Sequence, residues 1–457
     1  MRRVTRPVST VAAVAAVLLA ASCGTSKQPE RGASGDRGDG QVRLYGSDGN
    51  MSSSFGDVLK DQQGVLAGMK GTAPLSPLTE EFKRRIRGVD PSVPDFNYAG
   101  EAYDAVIVSA LAAEVARSTD ASTMAKNIVG VTVGGTECAS FQQCAALVRQ
   151  NQNVQYRGVS SLKRSGFTDA GEPSTATYGT LNFGRDNHID DAKTEFVGAG
   201  DESTASRNAA APAPSTPPGS GRAPKAPPLK FGGLLPHTGA LASAGPPIFA
   251  GGKLAVQEIN EAGGVLGQPV EWVDGDDGTS AQTAVITADR FIAAGVQVLI
   301  GPAASTAAAA VVPKAVAAGR IVFSPTATSE GLSQLDDKGL FFRTAPSDKL
   351  QAKALADVVM RDGVSKVVVV ARDDEYGTGL RNGIQADLTG AGIKASNIKV
   401  LSYKVKDKYD VADQTGQFGP LAKAVKEFGA DAVVIIGFEE SALFVKALRD
   451  EQLVPGS

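Results

Sequence analysis

Between residues 229 and 457, short runs of Val, Ile and Leu alternate with amphipathic stretches of helical length. No other feature constrains the fold as strongly. The runs at 229–235, 269–273, 296–300 and 321–323 read as strands, with helices at 249–262, 280–294 and 305–318 between them. Gly263-Gly264 and Gly295 stop two of these helices, because a glycine readily takes the left-handed conformation that ends a helical ladder. The cycle resumes with strands at 366–371, 398–403 and 432–436 and helices at 376–389, 421–428 and 441–449. Strands covered by helices on both faces read as near-continuous Val and Ile, and parallel neighbours need a helical crossover. Two such blocks predict an α/β fold of two doubly wound parallel-sheet lobes joined by a hinge.

The front of the chain alternates too little to make a domain of its own. It carries strands at 42–45 and 178–183 and helices at 53–59 and 103–117. Residues 41–197 are therefore expected to supply pieces of both lobes. Residues 198–228 are rich in Pro, Ala, Ser and Gly, have no hydrophobic period, and read as an extended linker. The two lobes then begin in 229–345 (lobe one) and 346–457 (lobe two).

Residues 1–22 read as an export signal: Arg2, Arg3 and Arg6 precede an apolar run too short to span a bilayer comfortably. Leu19-Ala20-Ala21-Ser22-Cys23 resembles a bacterial lipobox, which makes Cys23 a lipidation site and 23–40 a disordered polar tether. Loss of the three signal arginines takes the formal charge from −3 to −6. No basic stripe remains to neutralise phosphates, which argues against a nucleic-acid partner. Cys138 and Cys144, close together in an exported chain, read as a disulfide worth roughly 2 kcal/mol by chain entropy.

A series of motifs runs in a fixed order from residue 232: Gly232-Gly233-Leu234-Leu235-Pro236, Asn260-Glu261-Ala262-Gly263-Gly264, Asp276-Asp277-Gly278-Thr279, Ile300-Gly301-Pro302, Ser324-Pro325-Thr326-Ala327-Thr328, Phe342-Arg343-Thr344-Ala345-Pro346-Ser347-Asp348 and Asp374-Glu375-Tyr376-Gly377. Together they resemble the type I periplasmic binding proteins, in particular the leucine/isoleucine/valine-binding branch. The resemblance continues at the front of the chain, where Arg43-Leu44-Tyr45-Gly46-Ser47-Asp48-Gly49, Tyr103-Asp104-Ala105 and Thr180-Leu181-Asn182-Phe183 look like the family's later segments. The order implied is a circular permutation, with Ser457 joining Gln41 and the linker bridging the family's own ends. Three crossovers between lobes are expected near Ala345, Met69 and Tyr178.

Two strand ends, at Gly301 and Ser324, feed helices through hydroxyl residues. Backbone N–H groups and a helix dipole converge there, which suits a carboxylate. Ser305, Thr326 and Thr328 are the candidates. Counting from Gly301 selects Ser305, and counting back from the helix selects Ala303. By the resemblance, Asp48 pairs a ligand ammonium and Tyr376 closes over the ligand. Phe438 and Glu439 stand where the family often has aromatic residues. Asp48 also fits a plain turn in Ser-Asp-Gly-Asn, and the hydroxyls fit plain helix capping. Ala244 stands where the branched-chain binder has an aromatic lid.

The resemblance implies a lipid-anchored solute-binding protein outside the cell membrane, partnered by an ABC permease and binding a small amino acid, carboxylate or amide. A sensory ligand-binding module of the same fold is the alternative. His188 and His237 have no metal-ligand spacing, and no phosphate-loop, dinucleotide or nucleophile-elbow motif occurs. Neither catalysis nor a cofactor is expected.

Overall fold

The computed structural model describes residues 41–212, 226–406 and 408–454. The signal at 1–22, the tether at 23–40 with Cys23, and positions 213–225 of the linker lie outside the described residues.

Along the chain the strands are β1 Arg43–Gly46, β2 Lys70–Pro74, β3 Thr136–Cys138, β4 Val154–Tyr156, β5 Thr175–Asn182, β6 Glu195–Gly200, β7 Lys230–Leu235, β8 Glu271–Asp276, β9 Val298–Ile300, β10 Ile321–Ser324, β11 Phe341–Arg343, β12 Val367–Arg372, β13 Ile398–Tyr403 and β14 Ala432–Ile436. The helices are α1 Ser53–Asp57, α2 Glu80–Val89, α3 Ala99–Ala116, α4 Ala121–Ile128, α5 Phe141–Arg149, α6 Gly245–Glu261, α7 Ala281–Ala293, α8 Ser305–Ala317, α9 Asp348–Arg361, α10 Glu375–Gly390, α11 Val411–Asp413, α12 Gly419–Phe428 and α13 Ser441–Asp450.

Lobe one is built on a five-stranded parallel sheet in the order β11-β10-β9-β7-β8. Its strands alternate by a period of two. Val298, Ile300, Ile321 and Phe323 pack against α3 and α6, whereas Leu299 and Val322 pack against α7 and α8. Helix α3 has no solvent face: residues 99–115 are all buried, the charged Glu101, Asp104 and Glu114 among them. Most of its residues are apolar, and a helix apolar over most of its circumference belongs inside a core. It lies so close to α6 that a Cβ on Gly251 would sit 2.1 Å from the Ala99 carbonyl oxygen. Helix α6 begins four residues earlier than the periodicity suggests, because Pro246 and Pro247 occupy its first turn, where a missing N–H costs nothing.

Lobe two carries the seven-stranded sheet β13-β12-β14-β1-β2-β5-β6. Strand β1 runs parallel between β14 and β2, with Arg43 opposite Ala432. The Val42 N–H donates to the Leu453 carbonyl at 2.8 Å. Val367, Val369, Val434 and Ile436 face α9 and α10, while Val368, Val370, Val433 and Ile435 face α12 and α13. Strands β5 and β6 are antiparallel to their neighbours, so the expected parallel sheet is mixed at one edge. That is common where an α/β sheet ends.

Both lobes thus draw on both halves of the chain. The crossovers run through 344–347, 75–79 and 164–174, between elements of the two sheets. The first falls where it was expected. The others are displaced from Met69 and Tyr178, because Lys70–Pro74 and Thr175–Asn182 are themselves lobe-two strands. The linker reading of 198–228 also needs correction at its start. Gly198 and Gly200 belong to β6, paired along β5, and Ser206 and Ala210 are buried. Cys138 and Cys144 form a disulfide that ties β3 to α5. Among the described residues no helix is long and apolar enough to cross a membrane.

Candidate functional site

The two lobes face each other across a cleft lined from lobe one by Asp95, Asn97, Tyr98, Leu241, Ala244, Ile248, Ala303, Ser305, Thr326 and Thr328, and from lobe two by Asp48, Tyr376 and Phe438. It encloses about 60 Å³. That is room for roughly four to six waters, and so for a compact solute rather than a peptide.

The lobe-one wall consists of two strand-to-helix loops knitted together. Thr326 donates to the Ala303 carbonyl at 2.9 Å, and Ser324 donates to the Pro302 carbonyl at 2.7 Å. The Ser305 oxygen accepts the Ser329 N–H at 3.2 Å. Asp277 anchors the wall from beneath, accepting from the Ala303 N–H at 2.7 Å and from the Thr279 N–H at 2.8 Å. Burial pushes the Asp277 carboxyl up to about 7 against the pull of those bonds. Helix α8 starts at Ser305, and its N-cap residue, Ala304, offers no side-chain acceptor. Its first-turn N–H groups therefore lack a side-chain cap, at the positive end of the helix dipole, where Ala304 and Ser305 line the cleft. The capping alternative for Ser305 is not what the structure contains. Both Ala303 and Ser305 line the cleft, so the two ways of counting meet at one place.

Thr328 is buried at the cleft floor. Its hydroxyl faces Asp348, short of a well-formed hydrogen bond, and neither Asp348 carboxylate oxygen has a partner. Burial holds the Asp348 carboxyl well above the usual range, and the neighbouring Asp48 raises it further.

On the lobe-two side, Asp48 opens a single 3-10 turn after β1. Asn50 pins that turn to β14 by donating to the Ile435 carbonyl at 3.1 Å. Asp48 is thus both a turn residue and a cleft residue. Its Oδ1 accepts from the Tyr376 hydroxyl at 2.6 Å and from Gln351 Nε2 at 2.9 Å, and its Oδ2 accepts from the Tyr98 hydroxyl at 2.6 Å. A carboxylate offers about four acceptor directions, so roughly one remains for a guest. Burial, with Asp48 beside them, pushes both tyrosine hydroxyls well up, which keeps them as donors. Phe438 stacks on Tyr376, with ring centroids 5.4 Å apart, and rests on the Arg372 guanidinium. Arg372 is in turn held by Asp374 at 2.7 Å and by Glu440 at 2.9 Å.

Glu439 is not among the lining residues. It is half-buried with the Ser243 hydroxyl of lobe one beside it, so it stands between the lobes rather than forming a wall. Sequence reading missed Tyr98, Asp95 and Asn97 altogether. They lie in the loop before α3, and Tyr98 takes a left-handed backbone, φ 59°, an uncommon conformation that clusters at functional sites. The one local feature there is a polar-aromatic run, Asp95-Phe96-Asn97-Tyr98, directly before a mostly apolar helix, and by itself it does not point to a cleft. Interlobe bonds such as Tyr98 to Asp48 and Ser329 to Glu375, 2.9 Å, describe a closed cleft.

Two α/β lobes with three crossovers and a cleft between them define a hinged two-lobe architecture. The sequence model of the periplasmic binding protein family matches residues 228–456, half of the chain, and the chain belongs to that family. It is similar to the Leu/Ile/Val-binding protein BraC3 of Rhizobium johnstonii, 29% identical over 226 residues, which are 49% of this chain and 58% of that protein. It is also similar to the leucine-, isoleucine-, valine-, threonine- and alanine-binding protein of Pseudomonas aeruginosa, 28% identical over 220 residues, 48% and 56% of the two chains. Among solved structures it resembles the leucine-binding protein LivK of Thermotoga maritima (26% identical, TM-score 0.43, 49% and 61% of the two chains). LivJ of Streptococcus pneumoniae, solved with isoleucine, is similar at 28% identity and TM-score 0.41 over 50% and 62%. The matched region spans less than two thirds of the length of each of these proteins.

Proposed function

We propose that the protein binds a small α-amino acid in the interlobe cleft and delivers it to an ABC permease from outside the cell membrane, held there through Cys23. The observation that carries this reading is the pairing of unlike chemistries across one cleft. Uncapped N–H groups of α8 with Ser305, Thr326 and Thr328 suit a carboxylate on one wall. A partly satisfied carboxylate, Asp48, suits an ammonium on the other. Membership of the family and its Leu/Ile/Val-binding relatives support a solute-binding role. In this reading the carboxylate docks first on lobe one, where the donors are already aligned. Tyr376 and Asp48 then close over the amine, and the ligand stabilises the closed form by its preference for it.

Calorimetry tests this directly. Thr328→Ala removes one hydrogen bond to a charged group and is expected to cost about 1.5–3 kcal/mol, roughly tenfold to a hundredfold in affinity. Asp48→Asn is expected to weaken amine-bearing ligands more than plain acids. If both variants bind the best ligand as tightly as the parent, the cleft is not the site.

We further propose that the segment order is a circular permutation of the family's. Support comes from β1 lying parallel between β14 and β2, and from the Val42–Leu453 backbone bond, which sets residue 42 beside residue 453. A rearranged chain running 226–457 and then 41–212 is expected to fold and to bind the same ligand with similar affinity. A rearranged chain that stays unfolded would refute the permutation.

A further inference from the structure

The charges lining the cleft do not balance for a neutral-side-chain amino acid. Asp48 and Asp95 both line it, and no Lys, Arg or His does among the described residues. Two guanidiniums stand behind the walls and both are committed: Arg372 to Asp374 and Glu440, and Arg343 to Glu172 and to the Ala327 and Ser329 carbonyls. An α-amino acid brings one carboxylate, met by the α8 N–H groups, and one ammonium, met by Asp48. Asp95 is then left facing the ligand's far end without a cation.

We propose that the ligand carries a second, cationic nitrogen on a short side chain, and that Asp95 is the residue that selects it. This rests on the cleft reading above and narrows the ligand class to short diamino acids. Asp95 stands on the lobe-one loop before α3 and takes one local bond, from the Asn97 N–H at 2.9 Å. Burial pushes its carboxyl up, and Asp191, a lobe-two residue, pushes it further. Closure therefore brings like charges from the two lobes towards each other, and a cation in the cleft beside Asp95 offsets that repulsion. Leu241, Ala244 and Ile248 supply an apolar stretch for one or two methylenes, and the enclosed volume of about 60 Å³ limits the side chain to that length.

The test uses an isosteric pair, L-2,4-diaminobutyrate and L-norvaline, which differ by an ammonium in place of a methyl. Calorimetry on the full chain is expected to show the diamino acid binding about tenfold or more tighter. Asp95→Asn is expected to collapse that ratio towards one, whereas Asp48→Asn weakens both ligands. Norvaline binding as tightly as its isostere, or a ratio unmoved by Asp95→Asn, overturns the selection by Asp95 while leaving the cleft reading intact. Failure of both ligands, together with every other amino acid, overturns the two readings together.

Discussion

Glu101→Gln is expected to stabilise the protein at pH 9 by on the order of 3–5 kcal/mol and to change little at pH 4. Glu101 sits in the first turn of α3, 5% exposed. Burial pushes its carboxyl up to about 8, and the nearby Asp104 adds to the effect. Asp104 at least receives bonds from the Tyr156 hydroxyl at 2.7 Å and from the Ser160 N–H at 2.8 Å. The sign follows from proton counting. Between the ordinary carboxylate range and about pH 8, the folded state keeps a proton that the unfolded state has released. Stability therefore falls as pH rises through that window, and the full penalty is present above it. Gln carries no such proton. Asp277, raised to about 7, falls in the same direction but is common to both proteins. Urea unfolding at pH 4, 7 and 9 reads the difference. A gap that does not change with pH would remove the buried-proton account.

Gly251→Leu is expected to destabilise by about 3 kcal/mol or more. The new Cβ would meet the backbone of Ala99, its carbonyl oxygen at 2.1 Å and carbonyl carbon at 2.9 Å, and neither is the movable end of a side chain. Helix α3 comes from the front of the chain and α6 from the back, so the substitution prises apart the seam that joins them. Gly88→Ala is the control. A Cβ on Gly88, in helix α2, meets nothing within 4 Å, and alanine is expected to be neutral or to stabilise by up to about 1 kcal/mol. Thermal unfolding that ranks the two variants equally would show that the close approach does not matter.

The strands and helices most legible in the sequence are those whose apolar residues are buried on both faces of a sheet, such as the Val367–Arg372 strand. Others were hidden for physical reasons. Strand β2 reads Lys-Gly-Thr-Ala-Pro, a poor strand by propensity, and its neighbours β1 and β5 hold it in place. Helix α9 buries mostly Ala, Val and Leu beneath a charged surface, so its period is faint. Of the site, Asp48, Ser305, Thr326, Thr328, Tyr376 and Phe438, on loops carried by the family motifs, line one cleft. Tyr98 and Asp95 could not be read, because their importance lies in facing Asp48 and Asp191, across a space that no local pattern encodes. Glu439 was misjudged because its neighbour Phe438 points inward and Glu439, one residue on, turns towards the other lobe.

Strand β1 occupies an interior slot of the lobe-two sheet, and the turn after it is pinned to a strand that follows far along the chain: Asn50 bonds to Ile435 across 385 residues. During synthesis, then, the segment that holds Asn50 emerges long before the strand that secures it. Loop closure over that separation costs only a few kcal/mol more than over a short one, so the consequence is kinetic. Assembly of this sheet is expected to be slow, as for other topologies dominated by distant contacts. Until β14 emerges, the apolar residues of β1 are left exposed to whatever chaperones can hold them.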